Sequence, residues 1–366
     1  MVEAPPAGRY GARMSNTVKL ADVARAAGVS QGTVSNVFNR PDLVSPELRE
    51  RVEAAARTLG YRGPDPRGRL LRAGRVNAIG VVSGDPLATF FADPYDRRLL
   101  AGIARGCDDR GAGIALVSAA DDEAASWNIR TALVDGFILN CLVEGSRLVD
   151  HAARRGLPFV AVDHSPGNGA DVVQVDDRAG ARLAAAHLAD LGHRRFAVLA
   201  LGFDVDRRVG FVDCDRVKAI RYDVVRNRLA GFRDAIAAVG APEPLVWESP
   251  NTAAAAEAGV MAVLARDPAV TAFLCMSDVL AMAAIDALRA AGRRVPEDVS
   301  VTGYDDVDDA ATVRPSLTTV HQPIEDKGAA AIRMVFDGDA EDRGSRVVTL
   351  PVSLVVRGST GPAPRR

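Results

Sequence analysis

Residues 28–39 read Gly28-Val29-Ser30-Gln31-Gly32-Thr33-Val34-Ser35-Asn36-Val37-Phe38-Asn39: a glycine, a serine, then apolar side chains at helical spacing. Upstream, Leu20, Val23, Ala24 and Ala27 share one helix face, and Asp22 falls in a first turn, where the helix dipole favours an anion. Gly28 permits the left-handed backbone that ends a helix sharply. Ser30 can cap the next helix by accepting an orphan backbone N–H. Val34, Val37 and Phe38 then face inward, which leaves Gln31, Gly32, Thr33, Ser35 and Asn36 for an outside partner. A third helix is expected with Ser45 as cap, Pro46 at its first position, a stripe of Leu48, Val52, Ala55, Ala56 and Leu59, and Gly60 past its end. Residues 18–59 thus read as a small helix-turn-helix. The alternative is a helical hairpin packed on a larger domain.

Charge favours the first reading. Between residues 17 and 75 there are eleven Lys/Arg against six Asp/Glu, a net of +5, whereas the 366-residue chain is −2. The segment 61–75 holds Pro64, Pro66, three glycines and Arg62, Arg67, Arg69, Arg72 and Arg75, a basic linker. A positive module on a slightly acidic body suits a phosphate-backbone binder.

The length implies two or three compact units. With 48% hydrophobic and 5% aromatic residues, the core is expected to be Ala, Val and Leu. No apolar run nears the roughly 20 residues that span a bilayer. Residues 1–17 have no apolar signal core and read as a disordered leader, so a cytoplasmic location is expected. Cys107, Cys141, Cys214 and Cys275 are scattered and read as buried free thiols. Neither a metal nor a cofactor is expected.

From residue 76 short apolar strands alternate with helices. Strands are expected at 78–82, 113–117, 136–139, 159–162 and 172–175, with helices at 99–110, 124–133 and 145–155 between them. A second series runs through helix 178–191, strand 195–199, helix 224–239, strand 245–247, helix 253–265, strand 271–275 and helix 278–291. Strand 299–304 closes it, and helix 326–336 and strand 346–355 finish the chain. This pattern is α/β: an all-α helix-turn-helix domain followed by two lobes of doubly wound parallel sheet. Ligands in such folds lie at the carboxyl ends of the strands. A polar insertion, 202–223, with Arg207, Arg208, Asp213, Cys214, Asp215 and Arg216, borders the cleft. It reads either as a segment that reshapes or covers the pocket or as a solvated loop.

The ordered motifs resemble the lac repressor (LacI/GalR) family of transcription regulators. Leu20-Ala21-Asp22-Val23-Ala24, Ala27-Gly28-Val29-Ser30, Thr33-Val34-Ser35, Val37-x-Asn39 and Val44-Ser45-Pro46 match its reader. Gly60-Tyr61-Arg62 and Leu71-Arg72 match its hinge. Asp177-Arg178-Ala179-Gly180, Leu191-Gly192-His193-Arg194, Arg228-Leu229-Ala230-Gly231-Phe232, Ser277-Asp278, the run 295–306 and the run 315–320 continue the match to about residue 357. The resemblance implies a two-lobed, periplasmic-binding-protein-like effector domain whose closure around a small ligand alters how paired readers sit on an operator. The implied partners are double-stranded operator DNA, a sugar, polyol or nucleobase-like effector, and a second copy of the chain in a homodimer or tetramer, with no membrane. The implied boundaries are 18–62 for the reader, 63–75 for the hinge and 76–366 for the effector domain. Its first lobe takes 76–163 and 322–337, its second 176–305 and 346–357.

Carried over residue by residue, Gln31, Gly32 and Asn36 take base-reading positions, where Gln and Asn pair bidentately with adenine. Thr33 and Ser35 suit phosphate contacts. Asn39, Arg69 and Leu71 complete the DNA set, with Leu71 the minor-groove wedge. Gly63 is an extra hinge residue and Gly68 replaces a usual alanine, which weakens a hinge helix by roughly 1 kcal/mol. In the cleft the resemblance implies Arg228 and Asp278 as ligand arginine and aspartate, Phe90 or Phe91 as a stacking aromatic, and Asp163 and Gln322 near the crossings. The family's aromatic wall in the second lobe is missing from 251–256, which weakens a sugar assignment. An enzyme finds no support: there is no G-x-G-x-x-G in register, no G-x-S-x-G, no P-loop and no metal-spaced His pair. A secreted binding protein would share the lobes but would need a signal segment and no reader.

Overall fold

The computed structural model describes residues 18–63, 75–119, 122–140, 142–166, 170–337 and 346–365. The chain divides into two compact units, Met1–Val76 and Asn77–Arg366.

In the first unit, α1 (Leu20–Ala27) ends at Gly28 with φ 63°, and α2 (Gln31–Asn39) begins at Ser30, whose hydroxyl accepts the Thr33 amide at 3.1 Å. Helix α3 (Pro46–Leu59) is capped by Ser45 and stopped by left-handed Gly60. Val23, Ala24, Ala27, Val34, Val37, Val52 and Ala56 form the core, and Phe38 meets Tyr61 edge-on at 5.6 Å. Leu59 departs from the expected stripe: it sits on the last turn, where no further helix covers it, and is exposed.

The second unit carries two sheets. The first orders β12-β5-β4-β3-β1-β2, all parallel: β1 (Ala78–Ser83), β2 (Gly113–Ser118), β3 (Gly136–Asn140), β4 (Phe159–Val162), β5 (Asp171–Val175) and β12 (Val347–Leu350). Alternate residues fill opposite faces. Ile79, Val81 and Ile138 pack under α5 (Pro94–Asp108) and α14 (Ile324–Phe336), while Val82, Phe137 and Leu139 pack under α6 (Asp122–Thr131) and α7 (Arg147–Ala153). Helices α5 and α14 touch at their backbones, since a Cβ on Gly102 would overlap the Glu325 carbonyl. A four-residue helix, α4 (Thr89–Ala92), precedes α5.

The second sheet orders β13-β11-β10-β9-β6-β8-β7: β6 (Phe196–Ala200), β7 (Gly210–Phe211), β8 (Leu245–Glu248), β9 (Ala272–Cys275), β10 (Ser300–Asp305), β11 (Thr318–His321) and β13 (Ser353–Val355). Its centre is parallel and both edge strands are antiparallel. Helices α8 (Asp177–Asp190) and α10 (Asp223–Ala238) cover one face, and α11 (Ala253–Arg266) and α12 (Asp278–Ala290) the other.

Two expectations fail here. The strand expected at 346–355 is two strands: Pro351 follows β12 in the first sheet, and the chain then crosses to β13 in the second. Residues 347–350 therefore belong with the first sheet, not the second lobe. Nor does β10 close its sheet, because β11 and β13 extend it. Among the thiols, Cys107 and Cys275 are buried but Cys214 is exposed, on the short helix α9 (Cys214–Lys218), and Cys141 lies outside the described residues. The leader expected at 1–17 also lies outside them.

Candidate functional site: a reading helix and a polar cleft floor

On α2, Gln31, Gly32, Asn36 and Asn39 are exposed, and Thr33 and Ser35 are half-buried. The two hydroxyls are partly engaged: Thr33 Oγ1 lies 2.9 Å from Ser30 Oγ, and Asn39 Nδ2 donates to Ser35 Oγ at 3.1 Å. A Cβ on Gly32 would meet only Ser30 Oγ, at 3.6 Å, so packing does not require the glycine. Leu71 and Arg69, with most of the expected hinge, lie outside the described residues.

Between the two sheets a chain of buried polar groups runs from lobe to lobe. Asp163 follows β4 with φ 57°, and its carboxylate takes the Lys327 ammonium at 2.6 and 2.8 Å and the Tyr95 hydroxyl. Lys327, fully buried on α14, also donates to Gln322 Oε1 at 2.7 Å. Gln322 Nε2 donates to Asp305 Oδ1 at 2.6 Å, and Arg228 Nη1 lies 3.6 Å from that oxygen. Arg228 donates to Asp177 Oδ1 at 2.7 Å and to the Met276 carbonyl at 2.5 Å, and stacks 3.6 Å over the Tyr304 ring. Burial opposes its charge, but Asp177 and Asp305 hold it above the usual arginine range. Asp305 is pushed well up by burial, with Arg228 pulling the other way.

Three sequence-predicted residues, Asp163, Gln322 and Arg228, thus stand on one network. Asp278 is not among Arg228's partners. Its oxygens accept the Thr319 hydroxyl at 2.5 Å and the Val307 amide at 2.8 Å inside the second lobe, and burial raises its carboxyl to about 7. The carboxylates beside Arg228 are Asp177 and Asp305. Phe90 is core, packed with Ile79 and Leu99, whereas Phe91 is exposed.

Sequence reasoning missed Asp305, Asp177, Tyr95 and Lys327. Two signals were available. Asp305 ends β10 at the carboxyl edge where ligands sit, and Lys327 falls on the apolar face of α14 with Ile324, Ala331 and Val335. A lysine at a core position requires a buried partner.

Direct bonds bridge the lobes elsewhere. Asn251 Nδ2 donates to Asp93 Oδ2 at 2.7 Å, and Asn251 Oδ1 accepts from Ser277 Oγ at 2.6 Å. The Glu144 amide donates to the Arg221 carbonyl at 2.8 Å, Arg221 Nη2 returns a bond to the Glu144 carbonyl at 2.7 Å, and Arg226 reaches Glu144 Oε2 at 2.7 Å. His164 Nδ1 lies 3.0 Å from Asp223 Oδ2. The first-lobe wall carries Asp96, buried in the first turn of α5, which accepts from Asn140 Nδ2 at 3.0 Å.

The insertion 202–223 is no simple solvated loop. Phe203 is fully buried, and Arg216 forks onto Glu248 at 2.6 and 2.8 Å and onto Asp206 at 2.6 and 2.8 Å. Arg216 is core because Glu248 matches its charge there, while Arg207, Arg208, Asp213 and Asp215 are exposed.

Residues 19–63 match the description "Bacterial regulatory proteins, lacI family", and residues 185–360 match "Periplasmic binding protein-like domain". An HTH-type transcriptional regulator of Mycobacterium tuberculosis is 38% identical over 94% of this chain and 97% of its own length. CelR of Thermobifida fusca, another HTH-type regulator, is 33% identical over 91% and 94%. Among solved structures, the lac repressor dimer bound to operator and the anti-inducer ONPF superposes with TM-score 0.73 at 29% identity, covering 94% of this chain and all of that one. A CelR–cellobiose complex gives 0.69 at 31%, covering 93% and 99%. Matching reader and lobes in one order over nearly the full length, the chain belongs to the lacI family of bacterial regulatory proteins.

Proposed function

We propose that the chain is a cytoplasmic repressor that grips a palindromic operator as a homodimer and changes that grip when a small ligand enters the cleft between its two sheets. The observation that carries this reading is the buried chain Asp163–Lys327–Gln322–Asp305–Arg228–Asp177, which spans both lobes where ligands of such folds sit. A ligand touching this floor touches both lobes at once, so their relative position becomes part of its binding energy. The lac repressor dimer on operator and CelR with cellobiose support a dimeric reader with a sugar-sized effector.

In this reading 18–62 is the DNA reader, 63–75 the hinge and 76–366 the effector and dimerisation domain. Gln31 and Asn36 read base edges in the major groove. Thr33, Ser35, Asn39 and Arg69 hold phosphates, and Leu71 wedges into a minor-groove step. Gly32 adds no side chain. Arg228, Asp163, Gln322 and Asp278 shape the effector site, and Phe91 is the aromatic available to stack on a ligand.

A gel-shift titration of the full chain against its own promoter region tests the DNA half. A salt-sensitive complex that is lost when one half-site is scrambled is expected. Binding indifferent to the second half-site would overturn it.

A further inference from the structure

Between β6 and α10 the insertion 202–223 begins with a loop that is anchored to the second lobe on both sides and reaches the first in its middle. Its start is held by Phe203, fully buried, whose amide donates to Glu248 and whose carbonyl accepts the Arg221 amide at 2.9 Å. Its return is held by β7, which pairs antiparallel with β8, and by Phe211, edge-on to Trp247 at 5.1 Å. Residues 205–209, between these anchors, are exposed.

The course of the loop follows from what its residues meet. Asp204 accepts from Arg221 Nη1 at 3.2 Å, and Arg221 Nη2 donates at 2.7 Å to the Glu144 carbonyl, on the loop after β3. Three residues on, Arg207 faces Asp85, on the loop after β1. Strands β1 and β3 are neighbours in the first sheet, and neighbouring strands lie about 4.8 Å apart. Three residues of extended chain reach about 10 Å, enough to pass both strand ends. Arg207 has φ 51°, a backbone conformation that a non-glycine residue keeps only where its surroundings hold it. Asp85 still reaches solvent, yet the protein crowded around it raises its carboxyl, while Arg207 draws it down and Asp93 raises it further. Arg207 forms no ion pair among the described residues, so its pull on Asp85 acts across a gap and can be released.

We propose that residues 203–211 form a strap across the mouth of the cleft, latched by the attraction of Arg207 for Asp85, and that the strap gates the exchange of ligand with the cleft. A loop held at both ends and by one charge in its middle lifts on the order of microseconds to milliseconds. Such a gate sets how fast a ligand enters and leaves, not which ligand binds. It rests on the cleft reading above. Its test contains no ligand, so its failure leaves that reading standing.

The test reads access to the cleft by labelling the full-length chain with iodoacetamide, a neutral reagent, and following the labelled peptides by mass. Ser249 is fully buried just past β8, and its hydroxyl has no partner among the described residues, so Ser249→Cys forfeits no hydrogen bond. Cys275, buried in the core of the same lobe, reports global unfolding in the same sample. Arg207→Asp turns attraction by Asp85 into repulsion. It should speed labelling of the introduced thiol at least fivefold and leave that of Cys275 unchanged. Arg208→Asp, the same change of charge one residue on, should leave both rates as they were. Trypsin gives a second reading that needs no introduced thiol. Asp85→Asn keeps both arginines and should be cut after Arg207 or Arg208 at least threefold faster than the wild type. Labelling no faster in Arg207→Asp, equal acceleration by Arg208→Asp, or an unchanged cut in Asp85→Asn overturns the gate.

Discussion

The Asp278 carboxyl is fully buried, and the Thr319 hydroxyl and Val307 amide hold it while burial raises it to about 7. In the unfolded chain an aspartate titrates near 3.9. The folded state therefore binds the extra proton between about 4 and 7. This contribution is fully present below the unfolded value and is lost as pH rises through the folded one, by up to about 4 kcal/mol. Asp278→Asn can still accept from Val307 and donate to Thr319, so its melting temperature should fall less than the wild type's between pH 5 and 8. Parallel curves would refute this. On the reading helix the expectation is one of affinity. Asn36 is exposed and outside the core, so Asn36→Ala should leave the melting temperature within a degree or so. By gel shift its operator affinity should drop by about 1–3 kcal/mol, roughly five- to a hundred-and-fiftyfold.

At the scale of elements, what was legible followed from what drives each one. The strands of both sheets stood out because residues buried on both faces are continuously apolar, as in Ile79-Gly80-Val81-Val82 and Phe196-Ala197-Val198-Leu199. Strand β11 was illegible because it is polar. Thr318 and Thr319 are fully buried, satisfied by Thr360 and Asp278, so hydropathy says nothing of their burial. The same cause hid Lys327 and the fold of the insertion, where charges are buried in pairs that only tertiary structure supplies. The insertion shows how firmly such a pair binds an element. Arg216 is the guanidinium facing the buried Glu248, which also accepts the Phe203 amide at 2.7 Å. Arg216→Met strands that carboxylate and should cost about 3–5 kcal/mol in a denaturant titration. Adding Glu248→Gln should return much of the loss, since the amide needs no counter-ion.

Across the whole effector unit, closure is distributed between the polar floor and the rim. The floor lies where the chain crosses between lobes, so it survives small rotations. The rim does not: Glu144 and His164 project from the first lobe, Arg221, Asp223 and Arg226 from the second, and opening must break their bonds. Arg221 and Asp223 belong to the insertion or its end, so the segment that anchors through Arg216 also delivers the clasp. Glu144 is solvent-exposed and Arg226 half-buried, and such a pair at the surface contributes about 0–1 kcal/mol. That is small against folding but large against a two-state equilibrium between open and closed lobes, where 1.4 kcal/mol is tenfold. Glu144→Ala combined with Arg226→Ala should therefore unfold at nearly the wild-type temperature. Solution scattering of the ligand-free full chain should nevertheless give a larger radius of gyration, because the Glu144–Arg226 tie of the rim is lost. The Arg221 bonds to the Glu144 backbone, the His164–Asp223 contact and the Lys327–Asp163 floor are left to hold the lobes. An unchanged scattering profile would mean that the floor alone sets the lobe angle, and the rim would then be a consequence of closure and not one of its causes.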